Sequence, residues 1–188
     1  MATDPKSKHR HLPRLSAETY RGLVFVHWTM TIQDREAGWL DHSWFECVHE
    51  ETMRLSVRYK VAIPAMIALP DHLHFLVAGT STTSNQLLFV RALRRILNGS
   101  FPDPIQLQKQ AFDHVLRPSE RGPQAFAALV HYITQNPVRQ GLVEDAGDWP
   151  YVAAVVPGFD DLSPTQMDFS TRWWSWWNQE VAATLRDD

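Results

Sequence analysis

The sequence predicts an α+β domain, a ferredoxin-like antiparallel sheet with helices packed on it. Three observations carry this. Runs rich in β-branched and aromatic residues alternate with helical periods in the order strand, helix, paired strands, helix, strand, helix. The two middle runs are separated only by Pro70-Asp71, which suits a hairpin turn. No internal repeat or long linker divides the 188 residues, so one domain with tails is expected.

Residues 1–19 are polar and without apolar period, with Lys6, Lys8, Arg10 and Arg14 spaced among His9, His11 and two prolines. They are expected to form a flexible basic arm. Residues 23–32, Leu-Val-Phe-Val-His-Trp-Thr-Met-Thr-Ile, have the composition and length of a buried strand. Gly38 ends that element, and Asp41 or Ser43 can cap the next. Over 42–60, Phe45, Val48, Leu55 and Tyr59 recur at helical spacing while Glu46, Glu50, Glu51, Arg54 and Arg58 cover the other side.

Val61–Leu69 and 72–78 are the hairpin strands, and Ser84 is placed to cap a helix over 85–98. There Phe89, Leu93, Ile96 and Leu97 make the buried stripe, and Arg91, Arg94 and Arg95 are expected to project as one exposed basic patch. A Pro-rich loop at 101–104 and a short strand over 112–116 precede a helix over 123–136, buried through Phe126, Leu129, Val130 and Ile133. Beyond Asn136-Pro137 the sequence turns irregular, until a last short helix bearing Trp173, Trp174, Trp176 and Trp177. The expected organisation is therefore an arm (1–19), a domain (20–155) and a Trp-rich tail packing on it (156–188).

Composition excludes several function classes. There are 18 Lys+Arg against 21 Asp+Glu, a formal net charge of −3 and 44% hydrophobic residues. Residues 1–100 hold 12 basic and 9 acidic side chains, residues 101–188 hold 6 and 12. That balance excludes a whole-protein polycation while allowing a local basic face. The single cysteine, Cys47, allows neither an internal disulfide nor a Cys-rich zinc site, and it is read as structural. No run is long and apolar enough for a membrane span, and nothing resembling a secretory signal follows the polar start, so a cytoplasmic protein is expected.

Two constellations bear chemistry. In His72-Leu73-His74 the imidazoles stand at i and i+2, on one face of a strand, a natural site for a divalent metal. Taken alone, the same spacing also describes two partly exposed histidines at a strand end. Asp71, next in the chain, should face away from the pair in a regular strand. Tyr132 and Asn136 stand at i and i+4, on one helix face beside the buried stripe. A tyrosine there is commonly a boundary residue, ring buried and hydroxyl wet.

Together the motifs say more. His72-x-His74 is followed by Tyr132-Ile133-Thr134-Gln135-Asn136-Pro137-Val138-Arg139-Gln140-Gly141-Leu142-Val143, then by Asp148-Trp149-Pro150-Tyr151. This closely resembles the single-tyrosine HUH transposases, and especially the REP-associated tyrosine transposases, over roughly residues 20 to 155. The resemblance implies an HUH endonuclease-type fold and a metal-dependent nuclease and strand transferase acting on single-stranded DNA with hairpins. It implies Tyr132 as nucleophile, and His72, His74 and Asn136 as ligands of Mg²⁺ or Mn²⁺. His131, about 100° around the helix from Tyr132, reads as a surface residue.

DNA binding calls for cations, and the candidates are Arg91, Arg94, Arg95, Lys6, Lys8, Arg10 and Arg14; an ordinary solvated helix face is the alternative for the arginine cluster. Arg139 is expected to fix the loop after the helix. The four tryptophans either stack on unpaired bases or clamp the tail onto the domain. Members of the resembled family are basic whereas this chain is slightly acidic, which keeps open a noncatalytic hairpin-binding protein on the same fold. A monomer is expected in preference to a homodimer, because residues 144–188 can cover a sheet edge.

Overall fold

A computed structural model describes residues 14–159 and 161–183. Lys6, Lys8 and Arg10, and with them most of the expected arm, lie outside the described residues.

Five antiparallel strands form one sheet: β1 (Phe25–Thr31), β2 (Val61–Leu69), β3 (His72–Gly79), β4 (Phe112–Val115) and β5 (Val152–Val155), in the order β4-β1-β3-β2-β5. The first four make the ferredoxin-like order, and β5 adds an edge beside β2. β5 lies in the stretch expected to be irregular. Its approach is secured by the Trp-Pro-Tyr segment: the Trp149 indole donates to the Ala68 carbonyl, and the Ala68 amide donates to that of Tyr151.

Alternation along the strands decides which residues meet which helices. Val26, Trp28 and Met30 of β1 and Leu73, Phe75 and Val77 of β3 face one layer, formed by α1 (His42–Tyr59) and α2 (Gln86–Ser100). Phe25 of β1 and Leu76 and Ala78 of β3 face the other, formed by α3 (Pro123–Thr134) and α5 (Phe169–Trp176). The sheet is thus covered on both sides, which explains why β2 is buried throughout. Pro64 lies in this inner strand and cannot donate to a ladder; the register to both neighbours shifts around it.

Caps settle the helix starts. The Asp41 carboxylate accepts from the Trp44 amide at α1, and Asn85, not Ser84, accepts from the Leu88 amide at α2. The Ser84 hydroxyl instead donates to the Lys60 carbonyl. Such caps contribute about 1 kcal/mol each.

Two expectations at the N-terminal end are revised. Ala17–Tyr20 forms a 3-10 turn, with Tyr20 wholly buried and its hydroxyl bonded to Asp113. Arg14 is docked: its guanidinium lies 5.7 Å over the Trp28 ring and 3.7 Å from the Asp113 carboxylate. Of the tryptophans, Trp173, Trp176 and Trp177 are buried with Phe25 and Phe126 and serve as core, with Trp174 packed at their margin. Cys47 is exposed, on the outer side of α1, so it has no part in the core.

Candidate active site

The site is built on the sheet face that carries α3. In β1, His27 and Thr29 share a face with Phe25; in β3, His72 and His74 share one with Leu76. The register sets Thr29 opposite His74, with His27 on the diagonal. The His27 Nε2 and His74 Nδ1 atoms lie 3.0 Å apart, and the Thr29 hydroxyl is also 3.0 Å from that same Nδ1. His74 Nε2 is buried with no hydrogen-bond partner.

His72 opens β3, its ring 4.8 Å from that of His74, centroid to centroid. Asp71 does not point away, because it belongs to the turn rather than to the regular strand. Its carboxylate accepts from His72 Nδ1 at 2.6 Å and is paired on its other side with Arg35. Burial works to raise the Asp71 carboxyl, but the hydrogen bonds and charges of His72 and Arg35 outweigh it and hold it below the usual carboxylate range. A carboxylate on the far nitrogen is the arrangement that orients a metal-binding imidazole.

Burial pushes His27 down to about 4, assisted by the charge of His114, its register partner on β4. Burial pushes His74 down to about 3, with the charges of His27, His72 and Arg139 adding to it and Asp71 opposing. Both rings are therefore neutral at physiological pH, the form able to ligate a metal.

Tyr132 stands near the end of α3, 45% exposed, its ring edge-on to His27 with centroids 6.4 Å apart. Arg139, on α4 (Asn136–Arg139), places its guanidinium 4.8 Å over the Tyr132 ring. Rather than fixing a loop, Arg139 reaches back over the candidate nucleophile. Asn136 is buried, and its amide nitrogen donates to the carbonyls of Tyr132 and Ile133, so it closes the end of α3. Only its carbonyl oxygen is left as an atom for a ligand. His131, next to Tyr132 in the chain, is exposed.

The donor chemistry fits a divalent cation: two imidazoles whose Nδ1 atoms are both engaged, His74 with a buried and unpartnered Nε2, and an amide oxygen on the neighbouring helix. Among the described residues no three His, Cys, Asp or Glu converge as a ready-made cage, so the imidazole pair needs Asn136, phosphate or water to complete it.

The basic residues lie apart from this set. α2 is on the opposite layer, and a cleft of about 410 Å³ there is lined by Arg14, Arg91, Arg94, Lys109, Gln110, Leu87 and Val90, none of them acidic. Arg94 is not freely exposed as expected: it donates to the Gln108 carbonyl while its Nη1 is buried and unpartnered. Burial, with the charge of Arg14, lowers its pKa. Arg95 is exposed on the same helix.

Sequence reasoning missed His27, Thr29 and Lys109. The only signal for the first two was the alternation Phe25-His27-Thr29, which becomes informative once β1 is known to pair with β3. Phe112 was also missed; it is 52% exposed on edge strand β4, in register with Thr29 and on the histidine face.

Strand-borne histidines facing a helix-borne tyrosine across a ferredoxin-like sheet resemble the single-tyrosine HUH class. No family model matches the chain. A REP-associated tyrosine transposase of Haemophilus influenzae (strain ATCC 51907 / DSM 11121 / KW20 / Rd) is 26% identical over 149 residues, covering 71% of this chain and 80% of the relative. A solved structure of a REP-associated tyrosine transposase bound to a REP hairpin shares the fold, with a TM-score of 0.59 and 20% identity over 71% of this chain and 78% of that one. The chain is thus similar in sequence to one REP-associated tyrosine transposase and in fold to another.

Proposed function

We propose that the protein is a metal-dependent transposase-type nuclease that cleaves and rejoins single-stranded hairpin DNA through a 5′-phosphotyrosine. The carrying observation is Tyr132, exposed and edge-on to His27, beside His74 with its buried and unpartnered Nε2. The Tyr132 oxygen attacks phosphorus, an O–P bond forms, and the P–O3′ bond breaks. The phenol releases its proton to solvent, and the departing 3′ oxygen ends as a hydroxyl. One phosphodiester replaces another, so a second 3′-OH can reverse the step onto a different strand.

His72 and His74 through Nε2, and Asn136 through its carbonyl oxygen, are the residues to hold Mg²⁺ or Mn²⁺. A divalent ion held by these residues would supply charge neutralisation at the scissile phosphate. Arg139 keeps Tyr132 in place and adds positive charge where the phosphate arrives. Phe112 offers an exposed ring for an unpaired base, a contact worth about 1–3 kcal/mol. Arg14, Arg91, Arg94, Arg95 and Lys109 form the phosphate-binding face for DNA passing around the β4 edge.

Similarity to REP-associated tyrosine transposases, one of them seen bound to a REP hairpin, supports this reading of the DNA partner. No helix among the described residues is long and apolar enough to cross a membrane. The test is to incubate the protein with end-labelled hairpin DNA bearing single-stranded flanks, with Mn²⁺ or EDTA. A denaturation-resistant protein–DNA band that needs the metal supports the proposal. Binding with no such band, across a panel of hairpins, supports a noncatalytic hairpin-binding protein instead.

A further inference from the structure

We propose that His27 and Thr29 are positioning residues for His74: between them they hold its ring as the tautomer with the proton on Nδ1, so that Nε2 presents a lone pair to the site. The inference rests on the reading in which His74 is a metal ligand, and it names what makes His74 fit for that role.

Two groups meet one nitrogen. His27 Nε2 and the Thr29 hydroxyl are each 3.0 Å from His74 Nδ1. If Nδ1 carried no proton, its single in-plane lone pair would have to accept from both. If it carries the proton, one N–H is shared between two acceptors, a common arrangement, and the Thr29 hydroxyl turns its lone pair inward. The second alternative satisfies both contacts.

The other end of the ring gives the same answer. His74 Nε2 is buried and unpartnered. A proton placed there would be an orphaned buried donor, whereas a bare lone pair is completed by an arriving cation. His72 repeats the design: the Asp71 carboxylate accepts a hydrogen bond from its Nδ1 at 2.6 Å, which leaves Nε2 to face the site. Two adjacent imidazoles thus have Nδ1 engaged by protein, one by a carboxylate and one by a histidine–threonine pair.

The elements make this clamp rigid. Thr29 and His74 are opposed in the β1–β3 ladder, His27 is one pleat away, and His27 and His74 are both buried. His27 also stands edge-on to Tyr132, so the side chain that orients the ligand packs against the nucleophile. Its replacement is felt at both.

The experiment reads the tautomer directly. Metal-free protein labelled with ¹⁵N-histidine is examined by long-range ¹H–¹⁵N correlation, with His74→Gln used to assign the ring, and Mn²⁺ affinity is measured in parallel by electron paramagnetic resonance. Wild-type His74 is expected as the Nδ1–H tautomer. His27→Gln, which keeps an acceptor oxygen, is expected to retain it; His27→Leu/Thr29→Val is expected to lose it and to bind Mn²⁺ about 10–100-fold more weakly. A wild-type His74 protonated on Nε2 overturns the proposal with no variant required, as does a folded double variant with unchanged tautomer and affinity. Failure of the wild type to bind Mn²⁺ would instead count against the metal reading of the site, because the tautomer is read without metal or DNA.

Discussion

The Arg139 guanidinium lies 4.8 Å over the ring of Tyr132, seven residues earlier in the chain. The turn at Gln135, between α3 and α4, folds the chain so that the cation returns over the aromatic face. An exposed contact of this kind is worth about 0.5–1 kcal/mol, too little to hold the fold together. Arg139→Ala is therefore expected to melt within a few degrees of wild type while its DNA-cleavage rate falls by at least tenfold. Arg139→Lys, which keeps the charge, recovers part of the loss. Equal rates in all three proteins would remove Arg139 from the site.

Acid sensitivity follows from the buried histidines. His27 and His74 are held down to about 4 and about 3 in the folded chain, whereas an exposed histidine takes its proton near 6.5. Between those values the unfolded state binds more protons, so stability is highest above pH 6.5, falls as pH drops through 4 toward 3, and levels off below that. The slope approaches about 1.4 kcal/mol per pH unit for each proton taken up on unfolding. Urea midpoints against pH should show this in wild type and a shallower fall in His27→Leu; parallel curves would contradict it.

The basic cleft is tested by salt. Arg91 and Lys109 line it and are exposed, so their removal spares the core. Arg91→Ala/Lys109→Ala is expected to lower the slope of log Kd against log salt by about 1.4–1.8, two phosphate contacts' worth, with no change in hairpin preference. An unchanged slope would place the DNA elsewhere.

The tryptophan tail is a core element by its packing. Trp173 is fully buried, 5.4 Å from the Phe126 ring and stacked with it. Trp173→Ala is expected to cost roughly 3–5 kcal/mol in chemical denaturation. Met167→Ala, on a fully exposed side chain, is expected to cost nothing measurable. If Trp173→Ala weakens DNA binding and leaves stability intact, the ring is a base-stacking surface and not core.

Much of this was legible from local patterns. The two hairpin strands and α1, α2 and α3 are long and strongly periodic, and Pro70-Asp71 names its own turn. The ferredoxin-like order followed from element order alone. What escaped depended on tertiary pairing: Val152–Val155 is too short and Ala-rich to declare itself, and becomes a strand because β2 offers it an edge. His27 stands in an ordinary strand sequence and gains meaning only from the register that sets it diagonal to His74. Arg14 and Arg94 read as solvated cations, yet the first is held by Trp28 and Asp113 and the second by the Gln108 carbonyl. Such contacts bridge distant segments and leave no trace in local composition.

The role of Tyr132 as nucleophile is read out by mapping the covalent adduct. Protein is reacted with hairpin DNA and Mn²⁺, digested with nuclease and protease, and the peptide spanning 123–139 is examined by mass spectrometry. A nucleotide is expected on Tyr132, lost in a folded Tyr132→Phe protein. An adduct on another residue, or one that persists in Tyr132→Phe, would contradict it.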